Sequence, residues 1–149
     1  MSISKFFAIL PSFPLYSIEF HVKIFQNPYF QRRKQMITTQ RSKRLDGELY
    51  DNQDPNLLKE HLHVQILLHK YNHTLPHKAK TRKKLLQKIL GHAPSDIVME
   101  QPFYCDFGYN IFIGEHFYSN YNLTILDCNK VTIGDRCLIG PGVSIITVN

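Results

Sequence analysis

The period of apolar and polar positions changes twice along this 149-residue chain. Residues 1–35 are rich in Phe, Tyr and Pro, and no helical or alternating period survives Pro11, Pro14 and Pro28. From Arg41 to Gly91 the period is helical. Asp54-Pro55 reads as a helix start, with Asp54 as N-cap and Pro55 at the first helical position. Leu58, Leu62 and Ile66, with Leu57, Val64, Leu68 and Tyr71, then form a broad apolar stripe expected to pack in the core. Asn72–Pro76 breaks the pattern. A second helix is expected from Lys78 to Leu90, burying Leu85, Leu86, Ile89 and Leu90, with Gly91 as its stop.

After Pro94 the period becomes six. Ile133-Gly134, Ile139-Gly140 and Ile145 stand six apart, and Ile113-Gly114, Phe117, Leu123 and Ile125 extend the pattern upstream. A two-residue offset separates Ile125 from Ile133. Six is a multiple of two, so extended chain returns each marked residue to the same inward face. A Gly directly after it is expected to mark a repeated sharp bend. Short strands joined by regular bends predict a parallel β-helix of hexapeptide repeats, three repeats to a triangular coil. The fold class is therefore mainly β, with about two coils preceded by a small α-helical region. Domain bounds are expected at 1–40 (a basic, aromatic, disordered extension), 41–93 (helical) and 94–149 (β-helix).

Charge refines this picture. Residues 1–44 hold eight Lys/Arg against Glu19, whereas residues 92–149 hold only Lys130 and Arg136 against six carboxylates. A nucleic-acid surface would have to use Arg32, Arg33, Lys34, Arg41, Lys43, Arg44 and the Lys78–Lys88 cluster. No aromatic-interleaved recognition motif accompanies them, so a solvated face is expected and nucleic acid is not a partner. The longest apolar run, Phe6–Leu10, is far short of the roughly 18–20 residues of a membrane span. Three cysteines, Cys105, Cys128 and Cys137, without a CxxC pair suit a reducing cytosol. Residues 1–35 faintly resemble a signal peptide or presequence, with untranslated or disordered sequence before Met36 as the plainer expectation. His69, His73 and His77 fall at i, i+4 and i+8, but Pro76 interrupts any shared helical face, so no metal site is expected.

Several motifs resemble the maltose and galactoside O-acetyltransferases, including the related nodulation acetyltransferases. They are Gly47-Glu48-Leu49-Tyr50-Asp51 with Asp54-Pro55, Tyr71-Asn72-x-Thr74-x-Pro76, and Pro102 through Ile111. Phe117-Tyr118-x-Asn120-x-Asn122, Ile125-Leu126-Asp127 and Val131-Thr132-Ile133-Gly134-Asp135 continue in the same order. The resemblance covers roughly Arg41 to Asn149.

It implies a left-handed parallel β-helix, a homotrimer if the chain is complete in the cell, and acetyl transfer from acetyl-CoA to a sugar hydroxyl. An alcohol is a weak nucleophile at neutral pH, so such a reaction needs a base for its proton and donors for the oxyanion. The resemblance places the acceptor sugar against Asp51, Asp106, Tyr118, Asn120, Asp127 and Cys128. Galactoside-type members carry two acids where Asp127 and Cys128 stand, so sugar preference is expected to differ. The family's catalytic His would follow Asn149 directly, and no catalytic residue is assigned within the chain. The chain is thus expected to be an incomplete acetyltransferase of low activity alone, cytoplasmic, with no membrane association. The alternative is a non-enzymatic module that associates with a full-length acetyltransferase.

Overall fold

The computed structural model describes residues 39–148. The expectations for residues 1–35 lie outside the described residues. Three helices precede the strands: α1 (Gln40–Leu45), α2 (Pro55–Asn72) and α3 (Ala79–Ile89). Asp54 caps α2 as its sequence predicts, its Oδ1 accepting from the amides of Asn56 (3.0 Å) and Leu57 (3.2 Å), with Pro55 in the first turn.

The broad apolar stripe of α2 divides. Leu57, Val64, Leu68 and Tyr71 are buried, but Leu58, Leu62 and Ile66 are exposed. The reason is how α2 seats on the β-helix. His61 Nδ1 lies 2.9 Å from the Asp106 carbonyl, Gln65 Nε2 donates to the Cys105 carbonyl (3.1 Å), and Asn72 both donates to and accepts from Phe103 (2.9 Å each). These polar side chains satisfy the otherwise open edge of the first coil, which would be a site of strand addition if bare. The residues at 58, 62 and 66 lie on the flank beyond that seam.

In α3, Leu86, Ile89 and Leu90 are buried and Leu85 partly so. Gly91 does not serve as a left-handed stop. A Cβ there would lie 2.2 Å from the Tyr109 carbonyl oxygen, so Gly91 is required for close backbone approach.

Eight short strands follow: β1 (Val98–Met99), β2 (Phe103–Cys105), β3 (Ile111–Ile113), β4 (Tyr118–Ser119), β5 (Leu123–Leu126), β6 (Val131–Ile133), β7 (Leu138–Ile139) and β8 (Ser144–Ile146). They stack as three parallel sheets, β1-β4-β7, β2-β5-β8 and β3-β6. Every register pairs residues 20 apart: Val98 with Tyr118 and Leu138, Phe103 with Leu123, and Ile111 with Val131. The coil is therefore 20 residues, not three equal hexapeptides. Inward residues Met99, Cys105, Ile113, Ser119, Ile125, Ile133, Ile139 and Ile145 run at steps of six, six and eight. The single offset visible in the sequence recurs in each coil, and its two extra residues enlarge the corner between the β2 and β3 sheets.

The bends also lie elsewhere than predicted. Gly108, His116, Asn122, Arg136 and Gly142 have positive φ, each three residues after an inward residue. Gly134 and Gly140, directly after an inward Ile, do not. Among the described residues, no helix is long and apolar enough to cross a membrane.

Candidate acceptor site

The enlarged corner gathers several of the residues implicated by sequence. Asp106 ends β2's turn of the coil, and Cys128 stands in the corresponding corner of the next coil. The Cys128 thiol donates to Asp106 Oδ2 at 3.5 Å, and the Tyr50 phenol lies beside it. Burial and the Asp106 charge push the Cys128 thiol up from its ordinary pKa, so the neutral donor form prevails at this site. Burial and the neighbouring Cys128 raise the Tyr50 phenol as well. Asp51, next to Tyr50, is exposed, with Oδ1 accepting from the Gln53 amide at 2.9 Å.

Asp127 lies behind this cluster. It is fully buried, and its Oδ1 accepts from the amides of Asp106 (3.1 Å) and Phe107 (2.8 Å) while Oδ2 accepts from that of Asn110 (3.3 Å). Burial raises its pKa, against the opposing effect of these backbone donors. The carboxylate is committed to shaping the corner and holds the Asp106 backbone in place.

Tyr118 and Asn120 lie elsewhere. Tyr118 is on β4, facing outward between Val98 and Leu138 in the β1-β4-β7 sheet. Asn120 turns the corner after β4, its amide donating to the Ile139 carbonyl (2.9 Å) and its Oδ1 accepting from the Tyr121 amide (2.8 Å). One chain thus splits the sequence-derived set between two corners of the prism.

Arg44 is the residue that sequence reasoning missed. It was grouped with the exposed basic residues, yet it is 1% exposed. Its guanidinium stacks 3.7 Å from the Phe107 ring centroid, and Nη2 donates to the Tyr109 hydroxyl at 2.7 Å. Tyr109 in turn donates to Glu60 Oε2 at 2.6 Å, and its phenol is pushed up to about 12 by burial and by that carboxylate. No sequence signal marked Arg44, because its helix, Gln-Arg-Ser-Lys-Arg-Leu, has no apolar period. Arg41 and Arg82 are also withdrawn from a free basic face by ion pairs with Glu60 and Glu100, each at 3.4 Å.

At the third corner, a cavity of about 500 Å³ is lined by His92, Asp96, Glu115 and His116 among others, with His116 Nδ1 2.7 Å from Asp96 Oδ2. His69 and His73 stack with ring centroids 4.1 Å apart. Among the described residues, no three His, Cys, Asp or Glu side chains are arranged to hold a metal.

Residues 43–94 match the family described as the maltose acetyltransferase hexapeptide capping motif. The chain is 43% identical over 114 residues to nodulation protein L of Rhizobium meliloti, an alignment covering 76% of this chain and 62% of that protein. A solved maltose O-acetyltransferase from Clostridium difficile 630 superposes with a TM-score of 0.70 at 36% identity, over 71% of this chain and 57% of that one. A galactoside acetyltransferase solved in complex with coenzyme A gives a TM-score of 0.61 at 31% identity, over 69% and 52%. The chain spans between 49% and 62% of the length of the first curated relatives it matches. It shares with these structures a left-handed parallel β-helix of hexapeptide repeats preceded by a small helical region.

Proposed function

Because this chain belongs to the maltose and galactoside O-acetyltransferase family, we propose that it carries the acceptor side of an acetyl-CoA-dependent sugar O-acetyltransferase. The observation that carries this reading is the Tyr50–Cys128–Asp106 cluster beside Asp51 at the enlarged corner. A sugar offers hydroxyls that both donate and accept. Asp51 and the oxygen of Asp106 not taken by Cys128 accept from such hydroxyls, while the phenol of Tyr50 and the amide of Asn120 can donate to them. A ring of fixed, oriented partners converts attack on the thioester carbonyl into a step between prealigned groups.

In that step the sugar oxygen bonds to the acetyl carbon, the C–S bond of the donor breaks, and the hydroxyl proton passes to a base that returns it to the leaving sulfur. The described residues position the acceptor. Neither His61, seated against the Asp106 carbonyl, nor His116, paired with Asp96, is arranged as that base. Acetyl-CoA supplies the acetyl group as co-substrate. The described coils do not fit its phosphates by themselves: Lys130 and Arg136 are their only Lys/Arg, and Lys130 lies over the Phe112 ring.

The proposed assembly is a homotrimer in which each acceptor site uses two copies. The prism presents two unlike apolar faces, the ladder Val98–Tyr118–Leu138 and the α2 flank Leu58–Leu62–Ile66, with Leu138 78% exposed. Unlike faces pair head to tail, and three such contacts close a ring. This would bring Tyr118 and Asn120 of one copy toward Asp51, Asp106 and Cys128 of the next. A cytoplasmic location accords with the three unpaired thiols. The test is sugar-dependent release of coenzyme A from acetyl-CoA, run alongside direct titration with maltose and a methyl galactoside. Saturable binding supports the acceptor reading, and binding of neither sugar opposes it.

A further inference from the structure

We infer that Arg44 is a positioning residue for the acceptor site, locking the Tyr50–Asp51 segment onto the Asp106–Cys128 corner and placing a fixed positive charge behind it. The inference rests on the acceptor reading above and adds a residue to it.

The six residues of α1 are too few to hold a helix by local bonding alone, so its docking decides where it sits. The loop after it is tied back to it, since Gln40 Oε1 accepts from the Asp51 amide at 2.9 Å. Whatever fixes α1 therefore fixes Tyr50 and Asp51. Contacts from three residues do so. Arg41 forms a half-exposed pair with Glu60, of the kind that contributes little, and its guanidinium lies 4.2 Å from the Tyr109 ring centroid. Asn129 Nδ2 donates to the Leu45 carbonyl at 3.2 Å. The third is Arg44, inserted between α1 and the corner, stacked on Phe107 and bonded to Tyr109. Phe107 directly follows Asp106, so the stack acts on the backbone that presents that carboxylate.

The chemistry of Arg44 exceeds what packing needs. Among the described residues, its Nε and Nη1 are buried without a partner and no carboxylate lies within 4 Å of it. A Met of similar length would fill the space without desolvating a charge, a substantial cost in an apolar setting. The charge is felt at the site: it favours the ionised forms of both Cys128 and Tyr50, against burial and against Asp106. Asp106, Tyr50 and Arg44 are the charged and titratable groups that act on Cys128.

Cys128 therefore serves as a built-in reporter. The experiment follows alkylation of Cys128 by iodoacetamide between pH 7 and 10, resolved from Cys105 and Cys137 by peptide mass spectrometry, with and without saturating maltose or methyl galactoside. In the unsubstituted chain, sugar is expected to slow alkylation. Arg44→Met is expected to slow the sugar-free rate at pH 8 about threefold, through loss of a nearby cation, and to abolish protection by sugar. Arg44→Lys, which keeps the charge but not the planar stack, should recover the sugar-free rate and only part of the protection. If Arg44→Met leaves rate and protection unchanged, the inference is wrong. Should Arg44→Met fail to fold by circular dichroism, Tyr109→Phe decides: weakened protection supports the positioning role, and full protection overturns it. If neither sugar protects the unsubstituted chain, the acceptor reading fails, while the sugar-free rates still show whether the Arg44 charge reaches this corner.

Discussion

Asn110 and Asp127 join successive coils through two hydrogen bonds: the Asn110 amide donates to Asp127 Oδ2 (3.3 Å), and Asn110 Nδ2 donates to the Asp127 carbonyl (2.7 Å). With the amides of Asp106 and Phe107 on Oδ1, the Asp127 carboxylate closes the eight-residue step that distinguishes this corner from the other two.

Asp127→Asn should lower stability by about 1–3 kcal/mol, because its amide nitrogen would face a buried N–H where a carboxylate oxygen now accepts. The pH dependence has a definite sign. Burial raises the folded pKa of Asp127, so the folded state holds its proton more tightly than the unfolded one. Its contribution is fully present below the unfolded carboxylate value and is lost as pH rises through the folded one. Urea denaturation across pH 3–7 should show the stability gap between the unsubstituted chain and Asp127→Asn narrowing as pH rises; a widening gap would contradict the assignment.

Two glycines should respond in opposite ways. Gly108 has φ +71°, and a Cβ there would lie 2.3 Å from the Ile89 carbonyl oxygen. Gly108→Ala should cost at least about 2 kcal/mol. Gly134 has no atom within 4 Å of its would-be Cβ and no left-handed backbone. Gly134→Ala should therefore be neutral or stabilise by up to about 1 kcal/mol. Thermal melts of the pair test this, and equal losses would contradict the bend positions described above.

The three thiols should be separable by reactivity. Cys105 is buried, and its pKa is held well above the ordinary thiol value by burial and then by Asp127 and Asp106. Burial raises Cys128 and Cys137 as well, but both are only partly buried. At pH 8 and without denaturant, alkylation should reach Cys128 and Cys137 while Cys105 stays unmodified, and denaturant should make all three reactive. Early modification of Cys105 would mean that the first coil is open.

The repeat was legible in the sequence because inward Ile residues recur whatever the corner geometry. The helix start at Asp54-Pro55 was legible because capping is a local interaction. Coil length was not, since only one of its eight-residue steps, Ile125 to Ile133, joins two Ile residues; the other begins at Cys105. Ile-Gly pairs pointed to the wrong bend residue, as the left-handed position falls two residues later and is filled by His116, Arg136 or Gly142. The α2 stripe looked uniformly buried because helical spacing cannot tell a face that meets the coil from one beyond its edge. Asp127 and Cys128 stand side by side as site candidates in the sequence, but tertiary placement buries the first against backbone amides and leaves the second on the corner. Arg44 was invisible for the same kind of reason: the aromatic residues that bury it, Phe107 and Tyr109, lie more than 60 positions away.

The most direct test of the two-copy acceptor site mixes two variants, Asp106→Ala and Asn120→Ala, by unfolding and refolding them together. Sugar titration is then compared with each variant alone and with the unsubstituted chain. Each variant alone should bind no sugar. In randomly mixed rings about one quarter of the sites pair an intact Asp106 with an intact Asn120 from the neighbouring copy, so binding should return at about that fraction. No recovery in the mixture, with the unsubstituted chain binding fully, would contradict a site shared between copies.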